Sequence, residues 1–536
     1  MAHSILERIS INSRNNFQRA NFINLTIIVG LVIVYLITRI PFRSEILFNW
    51  DSVNYALGMQ DFDVWQHRPH PPGYILYISL ARLIDQIINN PNSTLVMISI
   101  IAGSLTVVFT YLYAVKRFNL SDAFFAALLM LTNPLLWFYD ELALNYSLEA
   151  FFSISIGYSF FLAMKGSKTW AILGVILMGI GGGFRQTILI VFLPLVIFTF
   201  LHQTWKLRIL GSALLVLICL SWAIPLINSM GGLNAFFAAS KLLSSILERP
   251  TLLTLLHAFF YGGHILLILF LLALFGLIRL PANSFYVWEK NFLLLWIAPN
   301  LLVISLFHIG QSGYVLFFLP PLMIYSPFLI RTGLPQLEPF LFRKKDTANQ
   351  DYDLKIRLLI GMLVLVNIAS FFTGGYYSIR VHDHLWKTMR ELVQKYPPSE
   401  TIILTDTGRM NGFRMASYYF PEYHVYGISK NALDFSFFTQ NGTFEFSKWF
   451  FHSYNRSDDY ELSSNNSEFN VILEIPQNIK GLIVGDPSLW NRLLINHNNE
   501  LVSIRGEPIN DMLMYLVLPK DSAKLVVSLG ALIVQP

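Results

Sequence analysis

Asp51, Asp61, Asp63, His67, Arg68 and His70 all lie in WDSVNYALGMQDFDVWQHRPHPPGYILY, residues 50–77, between two long apolar runs. Groups of these types can take up protons or hold a cation, and a membrane edge is a costly place to keep them. Asp51 follows Trp50, an aromatic of the kind that anchors at the interface. A carboxylate partly withdrawn from water there is suited to removing the proton of an incoming hydroxyl. Asp51 also opens DSVNYALGM, a short helical pattern, and could serve as its N-cap. The two roles are compatible. Asp61, Asp63, His67 and His70 are candidates for a divalent metal, although their spacing matches no established ligand signature and solvated loops often hold such residues. Pro69, Pro71, Pro72 and Gly73 break any helix and set a bend.

Three later turns carry more polar groups. LWFYDELALNYSLEAFF presents Asp140 and Glu141, with Glu149 at the start of the next apolar run. Asp140 and Glu141 could simply end a helix in water; Glu149 is surrounded by apolar residues, where an ionisable group marks a site by default. In GIGGGFRQTILIVFLPL, Arg185 lies between two apolar runs, and its planar fork matches phosphate oxygens. It could instead snorkel to headgroups, or pair with Glu141 or Glu149. Gly179, Gly181, Gly182 and Gly183 permit close helix approach or an irregular break, and they make no nucleotide loop. LFHIGQSGYVLFFLPPLM adds His308, Gln311 and Tyr314, three hydrogen-bond donors toward an anion. A base near an acceptor with donors near a phosphate is what displacement from a lipid-phosphate donor requires. A soluble nucleotide sugar would be expected on the cytoplasmic face.

The elements that must position these groups are membrane helices. Of 536 residues, 54% are hydrophobic and 13% charged, against about a quarter charged in a soluble domain. Apolar runs near 22–40, 94–115, 123–139, 149–165, 170–184, 187–202, 209–227, 258–279, 291–307, 314–330 and 356–373 predict about eleven spans, read as helical because a barrel would alternate. The first is a retained span, not a cleaved signal. Arg8, Arg14, Arg19, Lys116, Arg117, Lys165, Lys168, Lys206, Arg208, Arg343, Lys344 and Lys345 then fall inside, which places the N-terminus in the cytoplasm and the C-terminus outside. Arg39 and Arg43 oppose that assignment. The net charge of +5 is dispersed among loops and fits topology better than nucleic acid. Cys219, the single cysteine, excludes a disulfide framework.

Segment 41–93 is thus a first outer loop, in which 73–90 reads as a helix on the membrane surface. Residues 1–375 form the membrane domain. From 376 to 536 the texture is that of a soluble α/β domain, with strand-like TIILTD, GLIVGD and MLMYLVL.

The first span, an acidic residue opening an outer loop, and then an HPPGY turn (His70–Tyr74) into a surface helix resemble the GT-C glycosyltransferases, with HPPGY similar to bacterial relatives of the protein O-mannosyltransferases. NPLLWFYDELALNYSLEAFF is similar to the family's second outer turn, and GYVLFFLPPL to a later turn and span. The echoes cover residues 20–330. The resemblance implies a GT-C membrane fold in the bacterial inner membrane. It also implies transfer of a sugar from a polyprenyl-phosphate carrier to a protein, lipid or glycan of the cell envelope, with Asp51 as catalytic carboxylate. Substrate contacts then fall to Arg185, Glu141, Glu149, His70, His308, Gln311 and Tyr314. Three departures stand out: Ser52 replaces the second acid of the common pair, Tyr146 takes a usually acidic position, and GFRQ replaces an LTKGP-like lysine pattern, so that Arg185 takes the lysine's role. Metal use varies in the superfamily. Direct displacement would invert the anomeric centre. The alternatives are a transporter or lipid flippase, with Arg185 and Glu149 along its path, and a membrane anchor for the outer domain.

Overall fold

The computed structural model describes residues 2–65, 67–246, 285–306, 312–341, 349–406, 413–428, 460–465, 468–475, 477–485, 490, 493–497, 500–503, 506–510, 513–518 and 524–531. The chain divides into two units: Met1–Glu45 with Tyr55–Ile379, and Ile46–Asn54 with Arg380–Pro536.

The first unit is helical. Its elements are α1 (Ala2–Arg39), most of α2 (Trp50–Gln60), α3 (Ile75–Ile88), α4 (Pro91–Arg117), α5 (Leu120–Thr132), α6 (Pro134–Asp140), α7 (Tyr146–Met164), α8 (Lys168–Phe184), α9 (Thr187–Leu201), α10 (Trp205–Ser229), α11 (Leu233–Ile246), α12 (Glu289–Leu306), α13 (Leu319–Leu341) and α14 (Asn349–Ser370). α7 is buried along nearly its whole length, as expected of a central helix. It packs on α4, α8 and α9, while α10 turns most of its residues outward. Local signals set the ends. Asn90 accepts the Ser93 N–H and Pro91 opens α4, a position where a missing N–H costs nothing.

Among the described residues six helices are long and apolar enough to cross a membrane, or seven if α5 and α6, bent by 54°, count as one. These seven fall on expected spans; α8 and α9 are shorter, α13 begins at Leu319 instead of 314, and 258–279 lies outside the described residues. The break between α5 and α6 has a clear cause. Pro134 has no N–H, and Asn133 Oδ1 accepts the Leu135 and Leu136 N–H groups at 3.0 and 3.1 Å. Leu131 O therefore loses its helical donor, and Arg39 Nη2 supplies one. Arg39 is wholly buried, lies 3.4 Å from Asp140 Oδ2, and has its guanidinium over the Trp137 ring. Arg39 is therefore not a loop charge and does not oppose the topology reading. Arg117, counted inside, is likewise paired, with Glu289 at 2.6 Å.

In the second unit, α15 (Tyr377–Val393, which begins in the first) precedes β1 (Thr401–Asp406), α16 (Phe413–Tyr419) and β2 (His424–Ile428). β1 pairs in parallel with β2 and β5 (Gly481–Val484), and β9 (Leu513–Val517) and β8 (Glu507–Asn510) continue the sheet antiparallel. The three strand-like runs of the sequence are β1, β5 and β9, adjacent in this sheet. A second, wholly antiparallel sheet runs β3 (Tyr460–Asn465), β4 (Glu468–Glu474), β10 (Lys524–Ala531), β6 (Leu493–His497) and β7 (Glu500–Ser503).

Candidate active site

The polar segment after α2 folds back on itself. Asp63 and Arg68 exchange backbone hydrogen bonds at 2.8 Å each way. Asp61 accepts from Arg68 Nη1 at 3.0 Å, and Asp63 accepts the Trp65 N–H at 2.9 Å. These carboxylates shape the loop, and among the described residues no three His, Cys, Asp or Glu side chains gather to hold a metal. In HPPGY, the Gly73 N–H donates to His70 O at 3.1 Å with Gly73 at φ 104°, a conformation that favours glycine. Tyr74 starts α3, and its hydroxyl shares a 3.0 Å hydrogen bond with His70 Nε2. The Tyr55 ring closes the group, 5.5 Å from Tyr74 and 5.1 Å from Tyr77.

Arg185 stands in extended backbone between α8 and α9. Its guanidinium pairs with Glu149 and donates to Asn145 Oδ1 at 3.1 Å. It lies 4.7 and 4.6 Å from the ring centres of Tyr146 and Tyr314, within cation–π range. Arg185 is 5% exposed and Glu149 is fully buried. Tyr74 is close enough to interact with Arg185 electrostatically, and Gln186 Nε2 reaches Pro72 O at 3.4 Å, so the HPPGY turn and the α8–α9 junction are neighbours. Gly183 permits this: a Cβ there would meet Leu76 of α3 at 2.5 Å and Trp222 of α10 at 3.0 Å. Tyr314 belongs to a short 3-10 turn, Ser312–Phe317, whose Gly313 N–H donates to Tyr139 Oη at 3.0 Å.

The structure thus brings Arg185, Glu149, Tyr314 and the His70–Tyr74 turn together. Glu141 is elsewhere, accepting from Trp137 Nε1 at 2.7 Å, and Asp140 accepts from Tyr35 and faces Arg39. His308 and Gln311 lie outside the described residues. Sequence reasoning overlooked Asn145 and treated Tyr146 only as a missing acid. Both precede Glu149 by about one helical turn, the spacing that puts side chains on one face, so the signal was present. Asn145 Nδ2 is buried without a partner among the described residues.

Asp51 lies in the second unit, in the first turn of α2. The cap is not Asp51: Asn49 Oδ1 accepts the Ser52 N–H at 3.1 Å. Asp51 stands in the first turn, where the helix dipole favours a carboxylate.

These helices and the α/β unit define a multispan membrane protein of the GT-C fold. ArnT from Cupriavidus metallidurans bound to undecaprenyl phosphate aligns with a TM-score of 0.52 at 14% identity, covering 96% of this chain and 99% of that one. Its apo state gives 0.52 at 13%, covering 97% and 100%. The archaeal oligosaccharyltransferase AglB from Archaeoglobus fulgidus, in complex with an inhibitory peptide and a dolichol-phosphate, gives 0.47 at 14%, covering 92% and 75%. Residues 69–228, which include His70, Glu149 and Arg185 and begin after Asp51, match the family described as dolichyl-phosphate-mannose-protein mannosyltransferase. A search of curated protein sequences returns no match.

Proposed function

We propose that the protein is an integral membrane glycosyltransferase that moves a sugar from a polyprenyl-phosphate donor to an acceptor outside the cytoplasm. The observation that carries this reading is the family match over 69–228, because it spans the two features that meet around Arg185. The acceptor oxygen attacks the anomeric carbon, the bond from that carbon to the phosphate oxygen breaks, and the phosphate leaves with the electron pair. Asp51 receives the acceptor proton and Arg185 stabilises the charge gathering on the phosphate. Attack opposite the leaving group inverts the anomeric centre. The rings of Tyr146 and Tyr314 lie within cation–π range of the guanidinium, and Tyr314, His70, His308 and Gln311 are the further candidates to donate to the phosphate. ArnT, which shares the fold, was crystallised with undecaprenyl phosphate, in keeping with a lipid-phosphate donor here. For a transporter, Arg185 and Glu149 would line a path; here they are locked to one another.

Asp51→Asn is expected to abolish sugar transfer in reconstituted membranes while the protein stays folded; transfer at the wild-type rate would refute the role of Asp51. Mass spectrometry of a strain lacking the protein should show an accumulating lipid-linked sugar and a missing glycoconjugate, which together name donor and acceptor.

A further inference from the structure

The segment that carries Asp51 belongs to the same unit as the C-terminal domain. Within that unit three contacts hold it. The Leu47 N–H donates to Tyr419 Oη at 2.8 Å, the Phe48 ring lies 4.8 Å from the buried His382 ring, and Arg414 Nε donates to Asn54 Oδ1 at 3.0 Å. The Arg414 guanidinium also lies 5.8 Å from the centre of the Trp50 ring. Arg414 is 4% exposed and Asn54 fully buried, so this hydrogen bond is shielded from water. Trp50 and Asn54 are four residues apart on α2 and bracket Asp51. Asn54 is three residues beyond Asp51, hence on its face of the helix, with Cβ atoms about 5–6 Å apart. One cationic side chain from residues far along the chain therefore touches the helix on both sides of the proposed base.

We propose that Arg414 is a positioning residue for Asp51: by fixing Trp50 and Asn54 it sets the rotation of the first turn of α2 and keeps the carboxylate aimed at the acceptor hydroxyl. The unit that holds the C-terminal strands then also fixes the segment that carries the proposed base. This rests on the reading of Asp51 as the catalytic base. Arg suits the task better than Lys, because its rigid fork fixes a direction as well as a charge, whereas Lys keeps only the charge.

The experiment uses the full-length protein in proteoliposomes with a lipid extract from a strain lacking it, in which unconsumed donor accumulates, and acceptor membranes from the same strain. Arg414→Gln is expected to lower the maximal rate about a hundredfold, the loss that a misplacement near 1 Å can cause. The apparent KM for the extract should change by less than about twofold, since ground-state donor binding is untouched. Asn54→Ala, which removes the acceptor of the hydrogen bond, should give a loss of the same kind, and the double variant should be no worse than the poorer single one. Arg414→Lys, which keeps the charge, should recover part of the rate. If Asp51→Asn is inactive but Arg414→Gln and Asn54→Ala transfer at the wild-type rate, the positioning role is overturned while the base survives. If Asp51→Asn is itself fully active, the underlying reading fails. Additive losses that track thermal stability, with no recovery by Lys, would also overturn the inference.

Discussion

Arg185 and Glu149 form a largely buried ion pair, and the cation also donates to Asn145. A buried pair of this kind adds little net stability, yet removing one partner strands the other charge at a cost of about 3–5 kcal/mol. Stability and function should therefore separate. Glu149→Ala should lower the unfolding temperature in detergent markedly. The double variant Arg185→Met, Glu149→Leu should regain most of that stability, because both charges are gone, and still transfer no sugar, because the proposed mechanism loses the guanidinium that would face the phosphate. Transfer by the double variant would exclude Arg185 from the chemistry. The choice of Glu149 over Glu141 as the partner of Arg185 was open in the sequence. It is settled by the helical phase of α7, which carries Tyr146 and Glu149 on one face, while Glu141 closes α6 and bonds Trp137.

At the scale of elements, the bent α5–α6 pair depends on groups from two other helices. Arg39 of α1 supplies the donor that Leu131 O lost at the bend, and Gly103 of α4 leaves room for Tyr35 and Asp140, since a Cβ there would overlap both. Arg39→Leu should cost about 3–5 kcal/mol, as it strands the buried Asp140, and Gly103→Ala about 1–3 kcal/mol by overpacking; denaturant titration in mixed micelles would read both. If Arg39→Leu left stability unchanged, the pairing with Asp140 would not be the anchor of the bend. The span positions were legible because length and apolarity are local properties. The bend was half legible: NP marks a break, but nothing nearby in the sequence says that an arginine 92 residues earlier satisfies the carbonyl it frees.

For the whole molecule, topology and division into units matter most. With Arg39 and Arg117 neutralised by buried carboxylates, the basic residues that still bear on orientation include Arg8, Arg14, Arg19, Lys165, Lys168, Lys206 and Arg208, and they favour a cytoplasmic N-terminus. Protease added to intact spheroplasts should then digest the C-terminal unit and spare an N-terminal tag. Digestion of the tag alone would invert the topology and place Asp51 on the wrong side for a lipid-linked donor facing outward.

Composition and apolar run length were enough to determine a multispan membrane protein with strand-forming segments in its C-terminal part, and the HPPGY turn with Arg185 was enough to point to lipid-phosphate chemistry. Both are written locally: a span is a property of about twenty consecutive residues, and a turn of fewer. The tertiary structure alone decided that Asn49 and not Asp51 caps α2, that Arg39 answers Asp140, that Glu149 answers Arg185, and that residues 46–54 fold with the C-terminal unit. Apart from the cap, these partners lie from tens to hundreds of residues apart, and which buried charge or donor meets which is fixed by how the elements pack, a property that no window of the sequence contains.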